Sequence, residues 1–185
     1  MVPLTALWLP ILVATIVVFL VSSVVHMFLG YHYDDLRKAP QEDAVLAALR
    51  GLNLPPGDYA LPKADSMQHM RSPEYRERAQ RGPRALLTVA PAGLGMGASL
   101  VQWFVYLLIV GALCAYISGR ELTHGANYLA VFRIVGFTAF VAYALALPQA
   151  SIWYRRSWRL TVATMFDGLV FGLVTAGIFG WLWPR

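Results

Sequence analysis

The chain has 185 residues, of which 58% are hydrophobic and 14% charged, with a net charge of +5 and a mean hydropathy of +0.54. This composition excludes an ordinary soluble domain. One cysteine is present, which excludes an intrachain disulfide. The basic residues lie at the edges of apolar segments, where membrane topology alone places them, so we do not expect nucleic-acid binding.

Long apolar segments dominate the chain. Each is about 20 residues or longer, which lets a helix cross a hydrocarbon core of about 30 Å. The predicted membrane spans are residues 2–29, 96–118, 127–147 and 160–182. No charged side chain precedes the first span, so we interpret it as a retained helix and not as a cleaved signal peptide. The sequence predicts an all-α fold: a polytopic membrane protein with four transmembrane helices and a cytoplasmic segment of short helices.

Positive charge predicts the orientation. Cytoplasmic loops of membrane proteins carry an excess of lysine and arginine. Residues 30–95 and the short basic loop 148–159 hold most of these residues here. We therefore expect both segments in the cytoplasm and both termini outside. The arginines expected to face the lipid surface are Arg71, Arg76, Arg78, Arg81, Arg84, Arg155, Arg156 and Arg159. Specific attraction to anionic lipid and an ordinary topological role both remain open for them.

The cytoplasmic segment is predicted to contain short elements. Acidic residues open a helix over residues 44–50, and Gly51 is expected to stop it. Ser72 is a predicted N-cap, followed by proline and a helix that ends near Gly82. Residues 85–89 are predicted to form either a strand or an extended lead into the second span.

Small side chains recur every four residues along the fourth span. They are Thr164, Gly168, Gly172, Ala176 and Gly180. Small residues let helix backbones approach closely in lipid, where burial of apolar surface does not drive helices together. This ridge therefore predicts tight packing against another helix, of the same chain or of a second copy.

Two ionisable residues lie inside predicted spans, Arg133 in the third and Asp167 in the fourth. Such residues are costly in hydrocarbon and usually face protein or water. Arg133 lies about 10 Å from the outer boundary and Asp167 about 10 Å from the inner one, at 1.5 Å per residue. Their depths do not favour an ion pair, and we expect Arg133 to extend outward to the membrane surface.

Asp167 is predicted to lie in a polar cluster in the inner half of the bundle, with His26 beside it. The alternating directions of the helices bring eight polar residues to one level: Ser22, Ser23, His26, Gln102, Tyr106, Tyr143, Thr164 and Asp167. One interpretation is a cytoplasm-facing site for a proton, an ion or another ligand. The other is a hydrogen-bonded network that satisfies a buried acid and sets the helix register.

Metal, haem and enzyme functions find little support. His26, Met27, His32 and residues 67–70 carry side chains that suit copper, but their spacing matches no recurring pattern. The sequence contains no serine-hydrolase, zinc-protease or paired-carboxylate arrangement. We therefore predict a non-enzymatic protein with no catalytic residues, no metal site and no cofactor.

Several motifs resemble a family of small bacterial inner-membrane proteins of unassigned function. They are Tyr31-His32-Tyr33-Asp34-Asp35-Leu36, Glu42-Asp43-Ala44-Val45 with Leu49-Arg50-Gly51, Val131-Phe132-Arg133, and Phe166-Asp167-Gly168-Leu169-Val170 with Phe179-Gly180-Trp181-Leu182-Trp183-Pro184. The resemblance implies four spans, a bacterial source and the cell inner membrane. It implies no activity and no site residues.

The small-residue ridge and the cytoplasmic segment favour a function by association. We expect an accessory or assembly subunit of a membrane complex, or a homo-oligomer. The alternative is a small oligomeric transporter or channel that uses the polar cluster around Asp167 and His26.

Overall fold

The computed structural model of the protein describes residues 1–32, 36–93 and 95–185. Tyr33, Asp34 and Asp35, which belong to the first of the resembling motifs, lie outside the described residues. The regular elements are, in chain order, α1 (Trp8–Phe28), α2 (Glu42–Leu52), β1 (Gly57–Leu61), α3 (Met67–Arg71), α4 (Pro73–Arg81), β2 (Ala85–Val89), α5 (Met96–Glu121), α6 (Tyr128–Phe140), α7 (Pro148–Tyr154) and α8 (Trp158–Trp181). They form two compact units, one of Met1–Arg37 with Met96–Arg185 and one of Lys38–Gly95.

Among its described residues, the first unit contains four helical segments that are long and apolar enough to span a membrane. They are Leu4–Phe28, Met96–Glu121, Tyr128–Tyr154 and Trp158–Trp181. Large apolar side chains point outward from them, such as Leu20, Ile109 and Phe137, which are 58%, 60% and 72% exposed. Exposure of such side chains fits helices that contact lipid. The predicted all-α, four-span membrane fold is confirmed.

The third span continues past residue 147, where the sequence analysis predicted its end. Residues 148–159 were predicted as a loop, but the helix continues through a π-helical turn at Val141–Leu145 and then α7. Pro148 does not end the span because it lies at the first turn of α7, where a missing N–H is tolerated. The buried Ser151 of α7 hydrogen-bonds Thr161 of α8 at 2.6 Å. Only residues 155–157 separate these two helices.

Residues near both ends of the chain pack at the end of this unit that lies opposite the α7–α8 connection. The Val2 N–H donates to the Gly119 carbonyl at 2.7 Å, and the Gly125 N–H donates to the Pro184 carbonyl at 2.9 Å. The indole of Trp183 donates to the Thr123 carbonyl at 3.0 Å. Both chain termini therefore pack against α5 and the α5–α6 connection.

The small-residue ridge packs against the same chain. A Cβ built on Gly168 would lie 2.9 Å from Ala144 Cβ, and one on Gly172 would lie 3.2 Å from the Phe140 nitrogen. Ala176 faces Gly136 on the same pair of helices. The ridge therefore lets α8 approach α6 and the π turn closely, which settles the open question in favour of intramolecular packing.

The second unit contains the short helices and a pair of strands. The Ser72 hydroxyl accepts the Tyr75 N–H at 3.1 Å, and Gly82 follows the end of α4, as predicted. The helix α2 continues past Gly51 to Leu52, because Asn53 and not the glycine takes the left-handed conformation that ends it (φ 46°). Strand β2 pairs antiparallel with β1, a partner that the sequence analysis did not predict.

Candidate functional site

Asp167 is the centre of a buried polar site in the first unit. It lies on α8 and is 1% exposed. The Tyr31 hydroxyl donates a hydrogen bond to its Oδ1 atom. The Nε2 atom of His32 lies 2.8 Å from its Oδ2 atom, and the His32 side chain is 14% exposed. Both carboxylate oxygens therefore have a partner, which a buried acid in hydrocarbon requires.

A short turn after the first span supplies both partners. Helix α1 ends at Phe28, Leu29 is extended, and Gly30–His32 forms a single 3₁₀ turn. This turn brings Tyr31 and His32 to α8. On its other side, the Arg159 guanidinium donates to the Tyr31 carbonyl at 3.3 Å. The end of span one is thus held against the first half of span four.

His26 adds a second imidazole. Its ring stacks on that of His32, with centroids 4.9 Å apart and planes 3° from parallel. The Nδ1 atom of His26 lies 2.9 Å from the Ser22 carbonyl oxygen. A carbonyl only accepts, so Nδ1 carries a hydrogen, and in the neutral ring Nε2 then carries the lone pair.

Trp103 links this site to a neighbouring groove. Its indole N–H donates to the Ser22 hydroxyl at 2.9 Å. Trp103 also lines a groove of about 510 Å³. The predicted cluster residues Gln102, Tyr106, Tyr143 and Thr164 line the same groove.

The predicted cluster is therefore divided into two parts. Asp167, His26 and Ser22 belong to the acid–histidine site, whereas the four groove residues lie beside it. The hydrogen bond of Ser23 joins it to neither part, because its hydroxyl donates to the Phe19 carbonyl on its own helix at 2.9 Å.

Sequence reasoning missed Tyr31 and Trp103, and it considered His32 only as a copper ligand. Tyr31 and His32 directly follow the first span, so their sequence position suggested the membrane surface. The available signal was the six-residue spacing of His26 and His32 across a glycine. A turn at this glycine brings the two rings together.

Arg133 lies away from this site. It is exposed, and it lines a mostly apolar groove of about 520 Å³ with residues such as Leu113 and Phe137. Within the residues that the structure describes, no ion pair joins it to Asp167, whose carboxylate contacts His32 instead. This agrees with the depth argument made from the sequence.

The arginines expected at the lipid surface are all exposed. Arg81 also pairs with Glu77 at 2.6 Å on α4, and Arg84 donates to the Ala79 carbonyl at 3.2 Å. Their exposure is compatible with lipid contact, and their role stays a prediction.

The site has the composition of a metal-ligand set. His26, His32 and Asp167 each offer one ligand atom, and these atoms lie within 4.8 Å of one another. Imidazole nitrogen and carboxylate oxygen bind several divalent ions. Chemically, the arrangement can hold a cation or relay a hydrogen bond from Tyr31 through the acid to the imidazoles.

No family model matches the chain, and no curated protein or solved structure is significantly similar to it. The resemblance to the bacterial inner-membrane family stays a prediction.

Proposed function

We propose that the protein is a non-enzymatic membrane protein that binds a cation at the Asp167 site. The observation that carries the proposal is a carboxylate that is 1% exposed and surrounded by imidazole and hydroxyl groups. A buried carboxylate is costly without a positive partner, and a cation held between it and the imidazoles would supply one.

The site lies near one end of the first unit. His26 is exposed and His32 is partly exposed, so the site is not sealed inside the helices. Asp167 lies about 12 Å along α8 from Arg159, at 1.5 Å per residue. Arg159 adjoins the basic connection between α7 and α8. We expect this end of the unit to face the cytoplasm.

Cation binding has better support than transport of a cation across the membrane through a single chain. Towards the opposite end, the interior holds apolar side chains such as Leu7, Val131 and Phe179, each 0% exposed. The buried hydroxyls there donate to carbonyls of their own helices. These hydroxyls belong to Thr15, Ser118 and Thr175. A transporter or channel would need surfaces contributed by further copies.

Thermal unfolding of the full chain in mild detergent tests cation binding. A ligand that binds only the folded state stabilises it by about 2.7 kcal/mol at 100 times its dissociation constant. The panel is Na⁺, K⁺, Mg²⁺, Ca²⁺ and Zn²⁺. We expect at least one cation to stabilise the wild type and to lose this effect in Asp167→Asn.

Two further variants make the comparison specific. His26→Gln changes an exposed ring and should fold even where Asp167→Asn does not. Glu121→Gln removes an exposed carboxylate at the C-terminal end of α5, away from the site, and cations should stabilise this variant as they stabilise the wild type. The proposal is wrong if no cation stabilises the wild type more than it stabilises His26→Gln and Asp167→Asn.

Association with another membrane protein is a second candidate function, favoured by Arg133. This cation is exposed about 7.5 Å along α6 from Tyr128, at 1.5 Å per residue. A carboxylate on a partner helix would pair with it at low cost, because interhelical polar contacts replace exposure to lipid. After gentle extraction, the molecular mass of the complex that contains this chain should be lower for Arg133→Leu than for the wild type. It should stay unchanged for Arg120→Leu. Equal masses for wild type and Arg133→Leu would contradict this function.

A further inference from the structure

The three ligand atoms of the Asp167 site are close enough to share one ion. His26, His32 and Asp167 offer atoms within 4.8 Å of one another. Bonds of about 2.0–2.2 Å from nitrogen or oxygen to zinc place neighbouring ligands of a tetrahedral site about 3.3 Å apart. The distances must therefore shorten by at most about 1.5 Å, and one of the two stacked rings, now 3° from parallel, must also turn so that both lone pairs point at the same ion. The exposed His26 side chain is the one with room to turn.

His26 makes the hydrogen bond that metal-binding histidines usually make. Its Nδ1–H donates to the Ser22 carbonyl at 2.9 Å, which leaves the lone pair on Nε2 available to bind a metal. The Ser22 hydroxyl in turn accepts the Trp103 indole N–H at 2.9 Å and donates to the Phe19 carbonyl at 2.8 Å. A second layer of hydrogen bonds thus supports the first ligand.

The carboxylate is oriented in a similar way. The Tyr31 hydroxyl bonds Oδ1 of Asp167, which leaves Oδ2 beside His32 Nε2 at a distance of 2.8 Å. An ion between Oδ2 and Nε2 would take the place of the hydrogen that now joins them. These two atoms would need to separate by only about 0.5 Å to reach the spacing of two zinc ligands.

The donor types select the ion. Two imidazole nitrogens and one carboxylate suit zinc and other divalent first-row metals, whereas calcium and magnesium prefer oxygen ligands alone. Copper(I) prefers sulfur ligands, and His26, His32 and Asp167 offer none. A divalent ion would more than offset the carboxylate and give the site one net positive charge.

We infer that His26, His32 and Asp167 form a binding site for a divalent first-row transition metal, with zinc as the best match. The inference rests on the proposed cation site and names its occupant, and it revises the sequence-based expectation of no metal. Tyr31 is a positioning residue, which holds the carboxylate without being one of the three ligands. A fourth position remains for water or a ligand, as in zinc sites with three protein ligands.

Cobalt(II) is the direct probe of this geometry. Four-coordinate Co²⁺ absorbs visible light far more strongly than the hydrated ion. Titration of the purified full-length protein should produce this absorption at one equivalent. Zn²⁺ should then abolish it by competition, whereas Mg²⁺ in excess should not. X-ray absorption at the zinc edge should report two imidazoles at about 2.0 Å.

Variants test which side chains bind the metal. His26→Gln, His32→Gln and Asp167→Asn should each weaken Co²⁺ binding by more than about 100-fold, because loss of an outer-shell partner alone costs roughly 10–100-fold. Tyr31→Phe should weaken it about 10-fold. His124→Gln, at an exposed position on the α5–α6 connection, should bind as the wild type does. This graded order distinguishes a built site from binding at surface histidines.

The failures of the two proposals can be told apart. A hydrated-ion spectrum in the wild type, or equal affinities for wild type and His26→Gln, would overturn the metal site. If Na⁺, K⁺, Mg²⁺ or Ca²⁺ still stabilised the wild type but not His26→Gln, cation binding would stand with a different occupant. If no cation stabilised the wild type more than it stabilised His26→Gln and Asp167→Asn, both proposals would be wrong. Because His26 is exposed, His26→Gln gives this answer even where a variant of the buried acid does not fold.

Discussion

Replacement of Gly168 by alanine should loosen the contact between α8 and the π turn. The new Cβ would lie 2.9 Å from Ala144 Cβ and 3.2 Å from Tyr143 Cβ. Non-bonded carbon atoms prefer about 3.5–4.0 Å, so the two elements must separate by about 0.6–1.1 Å. Both obstructing atoms are Cβ atoms fixed to the backbone, and rotation about χ1 cannot move them. Overpacking of this kind costs about 1–3 kcal/mol.

Gly177→Ala is the matched control on the same helix. Its Cβ would meet only the Tyr128 hydroxyl oxygen at 3.6 Å, an ordinary contact at the end of a side chain. Both substitutions change the intrinsic helix propensity in the same way, so the difference between them isolates the steric term. The assay is the free energy of unfolding, from titration with sodium dodecyl sulfate in mixed micelles followed by circular dichroism. Values for the two variants within 0.5 kcal/mol, an interval set by ordinary mutational scatter, would refute the reasoning.

Two further predictions concern the site and the orientation. In a double-mutant cycle of unfolding free energies, Tyr31→Phe and Asp167→Asn should show a coupling of about 1 kcal/mol, because the hydroxyl bonds a buried charge; additive effects would contradict this contact. Arg156→Cys should react with an impermeant thiol reagent only when the cytoplasmic face is open, and His124→Cys only from outside. The native Cys114 is 0% exposed and should stay unlabelled, and the reverse pattern would invert the predicted orientation.

The sequence by itself determined the membrane fold. A helix is the way for an isolated apolar segment to satisfy its backbone in hydrocarbon, so length and hydropathy suffice to predict four spans. Small residues at every fourth position likewise predicted the close packing of α8. An ionisable side chain is costly inside the membrane, so the sequence identified Asp167 as a residue in need of partners. The alternating directions of the helices correctly placed His26 and Ser22 near it.

Only the tertiary structure decided which side chains complete the site. Tyr31 and His32 lie beyond the apolar span, and no periodicity predicts that a single turn after Leu29 brings them to α8. The pairing of β1 with β2 also depends on residues about 30 positions apart. Hydropathy describes each segment separately, whereas hydrogen bonds to a buried acid depend on how separate segments meet in space.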